Sequence, residues 1–290
     1  MPRPAWLPVA VWPFQIAALE VDRSVVAVSE TGQGPSLLFY TGIGSFVWRD
    51  VMLALSASFR CITLDPPGIG LSAPVPRTEA TLLRSARAVT ATIEALDLQN
   101  VTLIVHDSGG PPALAAAARV HERIRGLVGV NTFGWRPEGR AFRAMLAVMG
   151  SGLTRQVSLT TGALARLTAT SFGVSRHLND ASRRAYQAGL QKSMSAFHDY
   201  LNDARNSDLY EEVAHGLAGP LARVPLLTIF GERNDPLHFQ PRWKALFPSA
   251  RQLVIPKGNH FPMCDDPDFV AGEIRRWHRE CVRGAKEPRS

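Results

Sequence analysis

Lysine is nearly missing from this chain. Lys192, Lys244, Lys257 and Lys286 are its four lysines among 32 basic side chains in 290 residues, so the net charge of +7 is carried by arginine. The arginines run from Arg3 to Arg289 with no dense block and no aromatic stripe between them, which argues against a nucleic-acid partner. Cysteine is scarce as well. Cys61, Cys264 and Cys281 lie too far apart to suggest a metal site or a disulfide framework, and Cys61, in an apolar stretch, reads as core filling. Also lacking is any run of the ~18 apolar residues that a spanning helix needs. Residues 5–19 come nearest, but Pro8 and Pro13 interrupt them and no basic segment of any size precedes them. Neither a secretion signal nor a membrane partner is expected, and the expected location is the cytoplasm. There is no internal repeat or low-complexity run; the first four residues and the closing segment 284–290 read as loose ends. What is present is a hydrophobic content of 46%, enough for one large α/β domain or a core with an insertion.

Strand and helix patterns alternate along most of the chain, which predicts a mostly parallel sheet flanked by helices. Eight strands are expected: Gln15–Val21, Ser24–Glu30, Ser36–Thr41, Arg60–Pro66, Val101–Asp107, Gly126–Thr132, Pro225–Gly231 and Arg251–Pro256. The first two read as a hairpin. Helices are expected at Val47–Ala57, Glu79–Leu98, Pro111–Val120, Pro241–Leu246 and Asp268–Arg283. Between Trp135 and Gly219 the strand pattern vanishes. Helical pieces take its place, at Arg140–Val148, Leu153–Ser171, Ala181–Lys192 and Met194–Asn202. That stretch is too long for a simple crossover. It reads as a helical cap, 135–219, inserted between two parts of a core domain, 1–134 and 220–290, and folded over the carboxyl ends of the strands, where open α/β sheets bind ligands.

The densest chemical signal is Val-Thr-Leu-Ile-Val-His-Asp-Ser-Gly-Gly at 101–110: a strand that stops abruptly, a polar residue, two glycines and an Ala-rich helix. A sharp strand-to-helix turn of this kind presents one side chain above the end of a strand. Placing Asp107 at the tip puts Gly109 two residues later, where close packing favours glycine, and compact Val105 two before. Placing Ser108 there would put bulky His106 in the crowded position. Asp107 is therefore preferred, with Ser108 as the alternative nucleophile of an esterase. An aspartate, with a reference pKa of ~3.9, is already ionised at neutral pH and can attack an sp³ carbon without a base.

Two further groups follow at strand ends. Asp235 lies in Gly-Glu-Arg-Asn-Asp-Pro after the seventh strand, and His260 in Pro-Lys-Gly-Asn-His-Phe-Pro after the eighth. Neighbouring Asn234 and Glu232 leave the register of the acid open; Pro236 favours Asp235 by suggesting a fixed loop. In this order the three can divide the work. Asp107 forms an alkyl ester, His260 takes a proton from the water that hydrolyses it, and Asp235 holds the imidazole. The oxyanion would be met by the N–H of Ser108 and by that of Ile43, in the Thr-Gly-Ile-Gly loop after the third strand.

With these residues in place the chain resembles the α/β-hydrolase superfamily, in its haloalkane dehalogenase and epoxide hydrolase branch with an aspartate nucleophile. The stretches that carry the resemblance are 46–51, 59–72, 106–111, 231–237 and 258–262, with a looser likeness at 131–137. It implies an eight-stranded α/β-hydrolase core with a cap, a small apolar organic substrate, water as co-substrate, and no cofactor or metal. Two departures stand out. Dehalogenases of this branch typically carry Trp directly after the nucleophile, where this chain has Ser108, and many carry a halide-binding Asn in the loop occupied here by Thr41-Gly42-Ile43-Gly44. Trp135 could then supply one N–H to a departing halide, although a packing residue at the domain junction is the more ordinary reading of it. The epoxide hydrolase alternative asks for a cap tyrosine to protonate the ring oxygen, which Tyr186, Tyr200 or Tyr210 would supply, Tyr186 being the first choice. A repurposed, non-catalytic binding protein is the remaining alternative.

Overall fold

A computed structural model describes residues 1–235 and 237–283; Pro236 and the closing segment 284–290, expected to be loose, lie outside the described residues. Eight strands form one sheet in the order β1-β2-β4-β3-β5-β6-β7-β8. They are β1 (Gln15–Val21), β2 (Ser24–Thr31), β3 (Ser36–Thr41), β4 (Arg60–Leu64), β5 (Val101–His106), β6 (Ile124–Val130), β7 (Leu226–Gly231) and β8 (Arg251–Ile255). The β1–β2 hairpin and the β2–β4 pair are antiparallel; every other pairing is parallel. All six residues of β5 and of β7 are buried. Both faces of a parallel sheet are covered by helices, so its inner strands need continuous aliphatic runs rather than alternation.

The core helices are α1 (Arg49–Leu55), α2 (Leu82–Ala95) and α3 (Gly110–Arg119). The segment read as cap folds into α4 (Arg140–Met149), α5 (Gly152–Thr161), α6 (Ala163–Thr168), α7 (Asp180–Asp203) and α8 (Leu209–Ala218), and the chain continues through α9 (Phe239–Leu246), α10 (Pro262–Asp265) and α11 (Pro267–Trp277). Among the described residues, no helix is long and apolar enough to cross a membrane.

Local chemistry accounts for the places where expected and observed elements differ. The expected helix Leu153–Ser171 is two helices, because Gly162 turns into the left-handed region (φ +64°) and ends α5. The expected pair Ala181–Lys192 and Met194–Asn202 is one helix. Ser193 does not interrupt it; its hydroxyl donates to the Gly189 carbonyl one turn back. Asn179 starts α7 by accepting from the Ser182 N–H. Sequence patterning did not anticipate α8. It packs on α3 of the core: a Cβ on Gly216 would come within 2.6 Å of Ala118 Cβ, and Arg119 makes a paired contact with Glu212 at 2.6 and 2.7 Å.

Helix α7 is fastened to the core along its length. Ser193 Oγ accepts from Gly70 N at 2.8 Å, Asp203 accepts from Leu82 N at 2.8 Å, and Asp199 pairs with Arg77. Helices α4, α5 and α6 lie on α7 as an outer layer.

Candidate active site

The turn after β5 is the most constrained point of the fold. Asp107 sits at φ +49°, a conformation that non-glycine residues seldom adopt, that costs about 1–3 kcal/mol and that persists only where the surroundings enforce it. Three contacts enforce it. Thr132 Oγ1 donates to the Asp107 carbonyl at 2.7 Å. A Cβ on Gly109 would fall 2.6 Å from Thr41 Cα, so the turn lies directly on the loop after β3. A Cβ on Gly110 would fall 2.2 Å from Thr132 Oγ1 and 2.4 Å from the Phe133 carbonyl. Gly110→Ala is accordingly expected to destabilise the protein by about 3 kcal/mol, read as a lower urea midpoint at unchanged slope.

At the tip, the Asp107 carboxylate faces the imidazole of His260, with Oδ1 3.8 Å from Nε2. Both side chains keep about a third of their surface open, 32% and 37%, so an incoming molecule has access to them. Burial pushes the Asp107 carboxyl up, but the electrostatic pull of the neighbouring His260 ring and the hydrogen bond from the Ser108 N–H outweigh it, and the net shift is downward. Asp107 is therefore the ionised group the chemistry asks for.

Ser108 occupies a different environment. It is buried, and its hydroxyl oxygen lies 2.5 Å from where a Cβ on Gly42 would stand. Its carbonyl accepts from the hydroxyl of Tyr200, which reaches down from α7. Burial raises the Tyr200 phenol well above its ordinary range, so it stays protonated and can only donate there. The strained φ thus falls on Asp107, and the serine is sealed beneath the Thr41–Gly44 loop.

The His260 loop is held by groups that sequence reading did not single out. The His260 carbonyl accepts from His106 Nε2 at 2.9 Å and from Asn131 Nδ2 at 2.9 Å. Asn131 Nδ2 also reaches the Asn259 carbonyl at 2.9 Å, and its Oδ1 accepts from Gly231 N at 3.0 Å. The ends of β5, β6 and β7 are thereby tied to one loop. A carbonyl can only accept, so His106 carries its proton on Nε2 and its Nδ1 accepts from Thr41 Oγ1 at 3.2 Å. Burial, reinforced by the charge of His260, lowers the His106 pKa to about 3, so this ring is neutral. The sequence signals were a histidine buried at a strand end and, at Asn131, a residue type that tolerates a positive φ (+39° here).

Asp235 sits at the start of α9. Its two oxygens accept from the first two N–H groups of α9, Phe239 N at 2.6 Å and Gln240 N at 3.0 Å. Among the described residues, no ion pair within 4 Å joins it to His260. Glu232 accepts from Lys257 N. Trp135 is buried among Phe239 and Trp243, with the Arg242 guanidinium 4.5 Å above its ring, a packing role at the junction of core and cap. Tyr186 packs 5.7 Å from Phe46 and lines a small apolar pocket of about 40 Å3, partly open to solvent, together with Trp6, Trp12, Ile43 and Leu190. Burial raises its phenol too. The tyrosine that meets the turn is Tyr200, while Tyr210 donates to the Ala204 carbonyl at 2.7 Å. No cluster of metal-ligating side chains occurs among the described residues.

Known proteins share this architecture. Haloalkane dehalogenase 2 of Mycobacterium tuberculosis is 26% identical over 274 residues, covering 91% of this chain and 95% of that one. The cis-3-alkyl-4-alkyloxetan-2-one decarboxylase of Shewanella oneidensis is 27% identical over 286 residues, covering 92% and 89%. The crystal structure of haloalkane dehalogenase DbeA from Bradyrhizobium elkani superposes with a TM-score of 0.77 at 20% identity, over 94% of this chain and all of that one, a likeness of fold. A family model described as alpha/beta hydrolase fold matches residues 35–267, from the start of β3 to the start of α11, and the chain belongs to that family.

Proposed function

We propose that the protein is a haloalkane dehalogenase-like hydrolase that works through an ester on Asp107. The observation that carries this reading is the carboxylate of a strained Asp107 facing His260 Nε2 at 3.8 Å. A carboxylate oxygen of Asp107 attacks an sp³ carbon, and the leaving group departs with the bonding pair. His260 then removes a proton from water, and the hydroxide adds to the ester carbonyl of Asp107. The N–H of Ser108 and that of Ile43 meet the oxyanion. Collapse expels the alkoxide, which leaves as the alcohol with the proton of the newly formed carboxylic acid; the carboxylate is restored and His260 gives its proton to solvent. The substrate is a small apolar organic molecule. The chemistry calls for no cofactor.

Within this mechanism Asp235 is the carboxylate that supports the imidazolium. Two backbone N–H groups fix its carboxyl group in place and still leave lone pairs free for His260. Asp235→Asn tests that role, because asparagine caps a helix as well as aspartate does but carries no charge. Turnover is expected to fall about 10²–10⁴-fold with the melting temperature little changed. An unchanged rate would leave the Asn131 and His106 contacts as the sole support of His260.

One observation favours a second substrate class. Trp135 packs against Phe239 and Trp243, and the side chains at 108 and 43 are serine and isoleucine, which offer a departing halide no side-chain N–H. A strained cyclic ether or ester does not need one, since ring strain aids departure and the leaving oxygen stays attached; here Tyr200 is the nearest phenol to the turn. Bromide release against diol formation on matched substrates separates the two. For the mechanism itself, a single turnover in heavy-oxygen water with enzyme in excess should place label in the Asp107 carboxyl. A covalent adduct on Ser108 would remove the reading.

A further inference from the structure

Residues 139–179 contain five arginines and not one aspartate or glutamate. The same stretch carries six large apolar side chains exposed to solvent: Met145, Val148, Leu153, Val157, Leu167 and Phe172, with Leu153 77% and Phe172 75% exposed. These residues belong to α4, α5, α6 and the turn after them, the outer layer of the molecule lying on α7. On α4 the arrangement is two-sided. Phe142 and Leu146 are buried against the protein, while Ala141, Ala144, Met145 and Val148 form the opposite, exposed stripe. Leu153 and Val157 stand one turn apart on α5. Arg140, Arg143 and Arg166 are exposed and have no carboxylate within 4 Å among the described residues; Arg155 and Arg176 turn inward to Asp199 and Asp265.

We propose that this outer face of α4–α6 docks the protein on an anionic lipid bilayer, with the apolar side chains entering the headgroup boundary and Arg140, Arg143 and Arg166 meeting lipid phosphates. Apolar residues interspersed with arginine, in a segment that itself holds no acidic residue, are what an interfacial helix layer needs. A second copy of the chain is a poorer occupant. A two-fold contact would bring this uniformly basic patch against itself. Nucleic acid would satisfy the arginines but leave Leu153 and Phe172 without a partner. Spanning length, on which the expectation of no membrane partner rests, does not govern a face that lies in the interface plane. The inference depends on no assignment of the nucleophile, and its effect would be to set the cap against the phase in which apolar substrates dissolve.

The test is co-sedimentation of the full chain with phosphatidylcholine vesicles, with and without phosphatidylglycerol as a minor component. Wild type is expected to bind the phosphatidylglycerol vesicles and to be released by salt. The triple variant Arg140→Gln, Arg143→Gln, Arg166→Gln should lose about a hundredfold in partitioning, and Leu153→Ser with Phe172→Ser about tenfold. Both variants should keep the wild-type circular dichroism spectrum and wild-type turnover of a water-soluble substrate. Equal binding to both vesicle types, no binding, or binding that survives both variants overturns the proposal. So does sedimentation velocity showing a dimer that Leu153→Ser with Phe172→Ser dissociates, or retention on DNA that the arginine variant abolishes.

Discussion

Asp107→Ala is expected to reduce turnover of any accepted substrate by at least ~10⁴-fold, because removing a nucleophile removes the covalent route entirely rather than weakening one contact. The fold should tolerate it: the turn is fixed by Thr132 and by the close approach at Gly109 and Gly110, not by the carboxylate. The complementary variant, His260→Gln, keeps the nucleophile and removes the base. The first half of the cycle should still run, so the enzyme accumulates as its ester. Intact-protein mass spectrometry then reads the substrate's alkyl mass, localised to the peptide containing Asp107. Full activity in Asp107→Ala, or an ester found on Ser108, would transfer the chemistry to the serine. No mass shift in His260→Gln with a substrate that wild type turns over would mean that His260 does not activate the water.

The second large effect is on stability in acid. His106 is neutral when folded, with a pKa near 3, against ~6.5 in the unfolded chain. Between these values the unfolded state binds a proton that the folded state refuses, so stability falls as pH drops. The slope is about 1.4 kcal/mol per pH unit, and the loss between pH 7 and 4.5 is about 2–3 kcal/mol. His198, also held low by burial, contributes in the same direction, so the measurement is a difference between proteins. His106→Gln keeps a donor for the His260 carbonyl but cannot titrate. Urea midpoints recorded across that range should fall less steeply for the variant than for wild type. Parallel curves would mean that His106 accepts its proton in the folded state.

The strands were legible because burial on both faces writes itself as unbroken aliphatic runs. β1, β3 and the first residue of β8 fall where patterning puts them, and β4 to β7 differ by two residues or fewer at their ends. The turn at 107–110 was legible for a related reason: each glycine marks a place where a Cβ has no room. The cap was legible as helix but not in its divisions. Whether Gly162 or Ser193 interrupts a helix depends on a dihedral angle and on a hydroxyl that bonds back to its own backbone, and neither has a compositional signature. Long-range contacts were the least accessible. Nothing in a linear chain distinguishes Tyr200 from Tyr186, yet only a helix of uninterrupted length delivers the former to the Ser108 carbonyl. Asp235 was found as a residue near a strand end, but its engagement with the start of α9 is a matter of how the loop folds. Asn131 and His106 escaped because their roles are to hold another residue's backbone, and such roles follow from the tertiary fold.

The way α7 is bolted down has a consequence for engineering. Tyr200 grips the turn, Ser193 and Asp203 hold backbone N–H groups of the core, and Asp199 pairs with Arg77. A chimera that borrows residues 135–219 from a relative would therefore import half of each of these joints without its counterpart. Recombination is better confined to the outer layer, α4 to α6, with crossovers near Gly139 and Asn179, where a foreign sequence replaces surface and leaves the keystone helix native.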